Sequence, residues 1–164
     1  MMAEVDKRDV LRCLRERLAN TLERLTASQL AAQSGAVHTE AKQEHPKDTR
    51  SIEAGYLSRG LAERVESVRE AVATLAAFHL RSRAADDPVG LGDLVELGDE
   101  DGEETTYFLA PVGGGEKLAV GGREVLVLTA RAPLGAALIG SMPGDEIALE
   151  LAGGKRMLAV HWVR

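Results

Sequence analysis

The chain has 164 residues, 45% of them hydrophobic, 28% charged and 3% aromatic, which suffices for one domain with a core, or two small ones, and is too short for more. No apolar run reaches the roughly 18 residues of a membrane-spanning helix, and the N-terminal MMAEVDKRDVLR has no apolar stretch between its charges and a cleavage site, so a cytoplasmic protein with no membrane partner is expected. The single cysteine, Cys13, excludes an internal disulfide and a zinc ribbon.

The net charge of −6 is divided unevenly. Residues 1–85 hold 14 Lys and Arg against 12 Asp and Glu, and residues 86–164 hold 6 against 14. Glycine divides at the same place, with 3 of 17 in the first part, as does proline, with only Pro46 there. A glycine-poor half followed by a glycine-rich half implies helices followed by strands and turns. The acidic second half argues against non-specific binding to nucleic acid, and no sequence-specific DNA binding is expected.

Leu11, Leu14, Leu18, Leu22 and Leu25 step by three or four residues and share one helix stripe. A second stripe, Leu61, Val65, Val68, Val72 and Leu75, follows a heptad pattern as far as His79 and Leu80. Each stripe is narrow enough to be covered by one partner helix, and the simplest partner is the other. An antiparallel coiled-coil hairpin is therefore expected over residues 1–85, projecting on the order of 50 Å if each arm has roughly 34 residues. The midpoint of the two series falls between His45 and Pro46, and Pro46 disfavours helix at His45 and removes a backbone donor, so the reversal is placed near residues 44–48.

The tip carries Glu40, Glu44, Asp48 and Glu53. These are either solvated loop charges or, for Glu44 and Asp48 beside the turn, oxygen ligands for a hard cation such as Mg²⁺. Two carboxylates hold Mg²⁺ weakly, so such a site needs completion by another molecule. His38 and His45 lie close by but form no matched pair on a helix face.

After Asp86-Asp87-Pro88, which closes the second helix, residues 89–164 form the second domain. Strands are expected at Asp93–Leu97, Thr105–Val112, Glu124–Thr129, Asp145–Leu151 and Lys155–Val163. Asp99-Glu-Asp-Gly102 and Gly153-Gly154 have the chemistry of hairpin turns. Pro133 to Gly140 has that of a short helix, with proline in its first turn and glycine at its end. A small, mostly antiparallel sheet with one short helix follows, so the fold class is α+β. Catalytic motifs are missing: Gly113-Gly-Gly115 lacks the Lys-Ser/Thr of a phosphate loop and is a flexible turn, and no G-x-S-x-G surrounds Ser141. His161 is expected at the surface or a sheet edge, and Cys13, beside Leu14, as a structural thiol.

The stretch Ala132-Pro-Leu-Gly-Ala-Ala-Leu-Ile-Gly-Ser-Met-Pro-Gly-Asp-Glu-Ile147, followed by a Gly-Gly turn and a last strand, resembles the signature of the bacterial Gre transcription elongation factors, S-P-[IL]-x-x-A-L-[IL]-G-x-x-x-G-D-x-[VI]. The resemblance covers the last half of the chain and extends to the first half in architecture. It implies an FKBP-like C-terminal domain and a hairpin that enters the secondary channel of RNA polymerase. Docking at the channel rim would fall to Pro133, Leu134 and Leu138. Acidic tip residues of the family help hold Mg²⁺ in the polymerase active site for cleavage of backtracked RNA, a role that falls here to Asp48 and Glu44, with no cofactor of the chain's own.

Two departures stand out. Lys47-Asp-Thr-Arg-Ser-Ile-Glu-Ala-Gly-Tyr56 replaces the family's D-L-x-E-N-A-E-Y, with Ser51 where a second acid is expected, leaving Glu44 or Glu53 to substitute; Glu44, beside the turn, is preferred. Ala132 replaces the serine before proline. An accessory cleavage factor is thus expected, with a non-cleaving regulator that competes for the same channel as the alternative. A prolyl isomerase rests on fold analogy alone, with only Tyr107, Phe108 and Trp162 to line an aromatic pocket.

Overall fold

The computed structural model describes residues 4–40 and 49–164. Two long helices, α1 (Lys7–Glu40) and α2 (Thr49–Ala77), form an N-terminal helical hairpin, followed by a six-stranded sheet and one short helix. Of the anticipated stripes, Leu11, Leu14 and Leu18 on α1 and Val65, Val68 and Leu75 on α2 are buried, while Leu22, Leu25, Leu61 and Val72 are half-buried. The reversal expected at residues 44–48 lies outside the described residues.

The second helix was expected to run past Leu80 and stops at Ala77. Its last turn is closed from the side by Arg15 of α1, whose Nε donates to the Leu75 carbonyl (3.0 Å) and Nη2 to the Phe78 carbonyl (2.8 Å). Carbonyls at a helix end need donors from outside the helix, and a guanidinium supplies two in fixed geometry. The chain then leaves helical geometry.

The chain divides into two compact units, one made of Met1–Arg15 with Thr74–Arg164, the other of Glu16–Ala73. The division cuts across the hairpin because the base of each helix is tied into the sheet unit. Asp93, fully buried, is the tie. Its Oδ2 accepts from Arg81 Nη2 (2.7 Å), Arg83 Nη1 (3.2 Å) and the Gly90 amide (2.9 Å), and Lys7 Nζ of α1 lies 3.9 Å from Oδ1. A carboxylate in that position holds only because several cations and donors face it.

The strands are β1 (Leu94–Asp99), β2 (Glu104–Leu109), β3 (Lys117–Val120), β4 (Arg123–Leu128), β5 (Glu146–Leu151) and β6 (Gly154–Val163), in the order β3-β4-β2-β1-β6-β5. All neighbours are antiparallel except β2 and β4. Five of the six match expected strands. The four-residue β3, between the triglycine turn and Gly121-Gly122, alternates exposed and buried over only two periods, too short a run to mark a strand in the sequence.

The two-residue period divides the sheet into faces. Val95, Leu97, Leu109, Ile147 and Val160 form a buried cluster with Val89 and with Leu138 of the short helix α3 (Pro133–Leu138). Leu94, Phe108, Leu118, Val125 and Val127 are buried with the opposite parity. Beside the strands, Leu14 of α1 lies against Gly113, and Phe78 and Leu80 lie against Gly92.

Candidate functional site

Of the expected tip ligands, Glu44 and Asp48 lie outside the described residues, as does His45. What is described next to them is the opening of α2. Ile52, Tyr56 and Leu57 are 59%, 66% and 75% exposed. Ile52 and Tyr56 are one helical turn apart and share a face. The Arg59 guanidinium lies 5.7 Å from the Tyr56 ring centroid, within cation–π range. Glu53 is exposed and Ser51 is half-buried. Three large apolar side chains left in solvent within six positions, on a helix that buries Val65, Val68 and Leu75 further along, mark a surface suited to contact.

The segment from Ala132 to Ile147 is built from residues with separate tasks. Pro133 opens α3 at its first turn, where a missing amide costs nothing. Ala132 is the N-cap and makes no side-chain capping bond, so the donor that a serine would satisfy goes without that acceptor. Gly135 is required by space: a Cβ there would meet the Thr129 carbonyl oxygen at 2.0 Å. Ser141 Oγ donates to the Leu138 carbonyl (2.7 Å) and closes the helix end. The Gly140 amide donates to Val89 O, and the Val89 amide to Ser141 O, both at 2.9 Å. Asp145 Oδ2 accepts the Met142 amide (2.8 Å), and its carbonyl accepts the Val160 amide, fastening the turn to β6.

The three expected docking residues are therefore brought together on one short helix but divided by burial. Pro133 is exposed, Leu134 is half-buried against the core, and Leu138 is fully enclosed. Ile139, next in the chain, is exposed.

A polar cluster that sequence reasoning missed lies on the sheet. Glu96 of β1, Glu104 of β2 and His161 of β6 bring ligand-capable atoms within 4.8 Å of one another. Arg123 Nη1 contacts Glu96 Oε2 at 3.1 Å, and His161 Nδ1 lies 3.4 Å from Glu104 Oε1. Gly98 makes room for the imidazole, since a Cβ there would fall 2.4 Å from its Cε1. Glu96 already has its counter-ion in Arg123. His161 is on the surface as expected, yet β6 is an inner strand. No sequence signal joins these residues, because only strand pairing sets their register. Cys13 is a half-buried free thiol.

At the β1–β2 turn, Asp99 Oδ1 accepts the Glu103 amide (2.9 Å) and the Asp101 amide (3.0 Å), and Oδ2 accepts from Arg156 Nη2 (2.8 Å). The Glu103 amide above all, with smaller help from Asp101 and Arg156, outweighs desolvation and holds this carboxyl below the usual aspartate range.

No protein-family model matches the sequence, and no curated protein does. Among solved structures the chain is similar to the GreA factor homolog 1 (Gfh1) protein of Thermus thermophilus, at 22% identity over 92% of this chain and 94% of that one, with a TM-score of 0.37. It is similar to Thermus aquaticus Gfh1 at 20% identity over 93% and 95%, with a TM-score of 0.38. A third similarity is to the prokaryotic transcription elongation factor GreA/GreB from Nitrosomonas europaea, at 24% identity over 62% and 90%, again with a TM-score of 0.38. These are distant similarities. Among the described residues, no helix is long and apolar enough to cross a membrane.

Proposed function

We propose that the chain is an accessory transcription elongation factor of the Gre type, which binds the secondary channel of RNA polymerase through its helical hairpin and stimulates the polymerase's own cleavage of backtracked RNA. The observation that carries this reading is the Ala132–Ile147 segment. Its match to the Gre signature in residue type and spacing stands in the same chain as a preceding two-helix hairpin. In this reading Glu44 and Asp48 are hard oxygen donors of the kind Mg²⁺ takes, and two carboxylates are too few to hold the ion alone, so it is shared with the polymerase. The shared ion's chemistry is that of a two-metal phosphodiester cleavage. Docking falls to the α3 segment, with Pro133 at the surface, Leu134 partly so, and Leu138 holding the helix in place from within.

The test is RNA cleavage in halted, backtracked complexes of the cognate polymerase across a range of Mg²⁺ concentrations. Asp48→Ala is expected to abolish or strongly reduce stimulated cleavage, and Glu44→Ala to do so less, with competition for the channel intact in both. Pro133→Ala with unchanged melting temperature and unchanged polymerase binding overturns the docking assignment. A second reading is favoured by Ser51, which stands where the family carries its second acid: a channel-binding regulator that does not promote cleavage. Tight polymerase binding with no cleavage at any Mg²⁺ concentration selects it.

A further inference from the structure

Within the unit made of residues 1–15 and 74–164, a cleft of about 450 Å³ is lined by Lys7, Arg8, Arg81, Arg83 and Arg164 together with small and apolar residues. Five cationic side chains converge there in a chain whose net charge is −6. The acids that contact them are Asp93, on Lys7, Arg81 and Arg83, and Glu4, whose Oε1 lies 2.7 Å from Arg164 Nη1. Asp6 and Asp87 also face the lining, accepting the Arg8 and Ala84 amides (2.8 Å each), so five cations stand against four acids.

The cations are also held in place. The Pro88 carbonyl accepts from Arg81 Nη2 (2.7 Å) and Arg83 Nη1 (3.2 Å), the same two nitrogens that meet Asp93 Oδ2. Lys7 Nζ donates to the Arg81 carbonyl (3.2 Å), and the Arg164 guanidinium lies 4.6 Å from the Trp162 ring centroid. Arg83 is the most deeply held of them. Its side chain is only 6% exposed, and its Nη2 is buried with no hydrogen-bond partner. A guanidinium nitrogen withdrawn from water without an acceptor is costly, and native structures rarely leave one so. Asp93 Oδ1 likewise makes no hydrogen bond, and Lys7 Nζ lies 3.9 Å from it. The first turn of α1 adds little, because Asp6 Oδ1 already caps the Arg8 amide (2.8 Å). The positive field is thus a property of the side chains.

We propose that this cleft is a binding site for a small multivalent phosphate, a diphosphate group above all. Planar guanidinium groups match phosphate oxygens with paired donors, and fixed ones lose little freedom on binding. The cleft falls in the range of small-ligand sites, about 300–1,000 Å³, more room than a single phosphate needs. The site is independent of the transcription reading, and a failed cleavage assay leaves it standing.

The experiment is isothermal titration of the full chain, free of divalent metal, with inorganic pyrophosphate, inorganic phosphate and sulfate at matched ionic strength. Pyrophosphate is expected to bind at one saturable site, about ten-fold or more tightly than phosphate. The double variant Arg8→Gln/Arg164→Gln, whose substitutions lie at the cleft rim, is expected to weaken pyrophosphate binding about ten-fold with an unchanged melting temperature. Arg83→Lys keeps the charge and loses the planar fork, so weakened binding in a folded protein supports the role given to that side chain. A nucleoside diphosphate that competes and shows the same losses supports the site and assigns the phosphate to a nucleotide; pyrophosphate binding without such competition assigns it to the inorganic ion. Equal weak binding of all three anions that disappears at about 150 mM salt overturns the proposal and indicates an adventitious ion only. Binding undiminished in the double variant overturns it, as does a cleft that takes single-stranded RNA and not pyrophosphate.

Discussion

In the unit Glu16–Ala73, the buried apolar side chains among the described residues are Leu18, Val65 and Val68, whereas the unit made of residues 1–15 and 74–164 encloses apolar side chains on both parities of its strands. A helix pair has one seam, so each residue is covered from one side, and a stripe position is buried only while a partner lies opposite. Along the α2 stripe within this unit coverage is uneven: Val65 and Val68 are buried, Val72 and Leu61 are half-buried and Leu57 is exposed, while Leu75, at the base and in the other unit, is enclosed. In the sheet, β1 is buried along nearly its whole length, and a comparable fall-off is seen on the edge strand β5, where Ile147 is buried, Leu149 half-buried and Leu151 exposed. Apolar spacing alone therefore overstates burial toward the far end of the helices and at the edge of the sheet, since one periodic stripe contains both core and surface residues.

The sharpest test of this contrast is Asp93. Asp93→Ala leaves Arg83 buried without its counter-ion, and a loss of about 3–5 kcal/mol of unfolding free energy is expected by chemical denaturation. A loss below about 1 kcal/mol would mean that the cations relax into solvent and that the base of the hairpin is not anchored there. Next in size, Leu75→Ala should cost about 2–5 kcal/mol, while Leu57→Ala on the same helix stays within about 0.5 kcal/mol. Equal losses at the two positions would erase the gradient. Gly135→Ala forces a methyl group against the Thr129 carbonyl, and about 1–3 kcal/mol is expected, read as a lower melting temperature.

The smallest expected effect is a pH dependence at the β1–β2 turn. Asp99 has its carboxyl held below the ordinary value of 3.8, so its contribution to stability is present above that value and is lost as pH falls through the lower, folded-state pKa. Comparing wild type with Asp99→Asn by denaturation, the wild-type advantage should be full near about pH 6 and shrink in strong acid. An advantage independent of pH would assign the effect to the turn's hydrogen-bond geometry and not to the charge.

Much of the fold was legible because its signals are local. The stripes on α1 and α2, the proline and glycine that bound α3, and the Gly153-Gly154 turn between β5 and β6 each act through neighbours within a few positions, so type and spacing determine them. The signature segment was legible for the same reason: Gly135, Ser141 and Asp145 do short-range work in helix packing, helix ending and turn closure. What only the tertiary structure decided involves residues far apart in the chain. Arg15 ends α2 from 60 positions away. Parallel pairing puts β4 beside β2, and strand order carries Glu96, Glu104 and His161 to one place. The burial that separates Leu138 from Pro133 arises only when α3 meets the sheet. Lys7, Arg81, Arg83 and Arg164 are three unremarkable basic stretches until β1 and the base of the hairpin close around Asp93. Periodicity records which side of an element is apolar, but which groups meet across elements depends on chain reversal and strand register, and no residue carries these by itself.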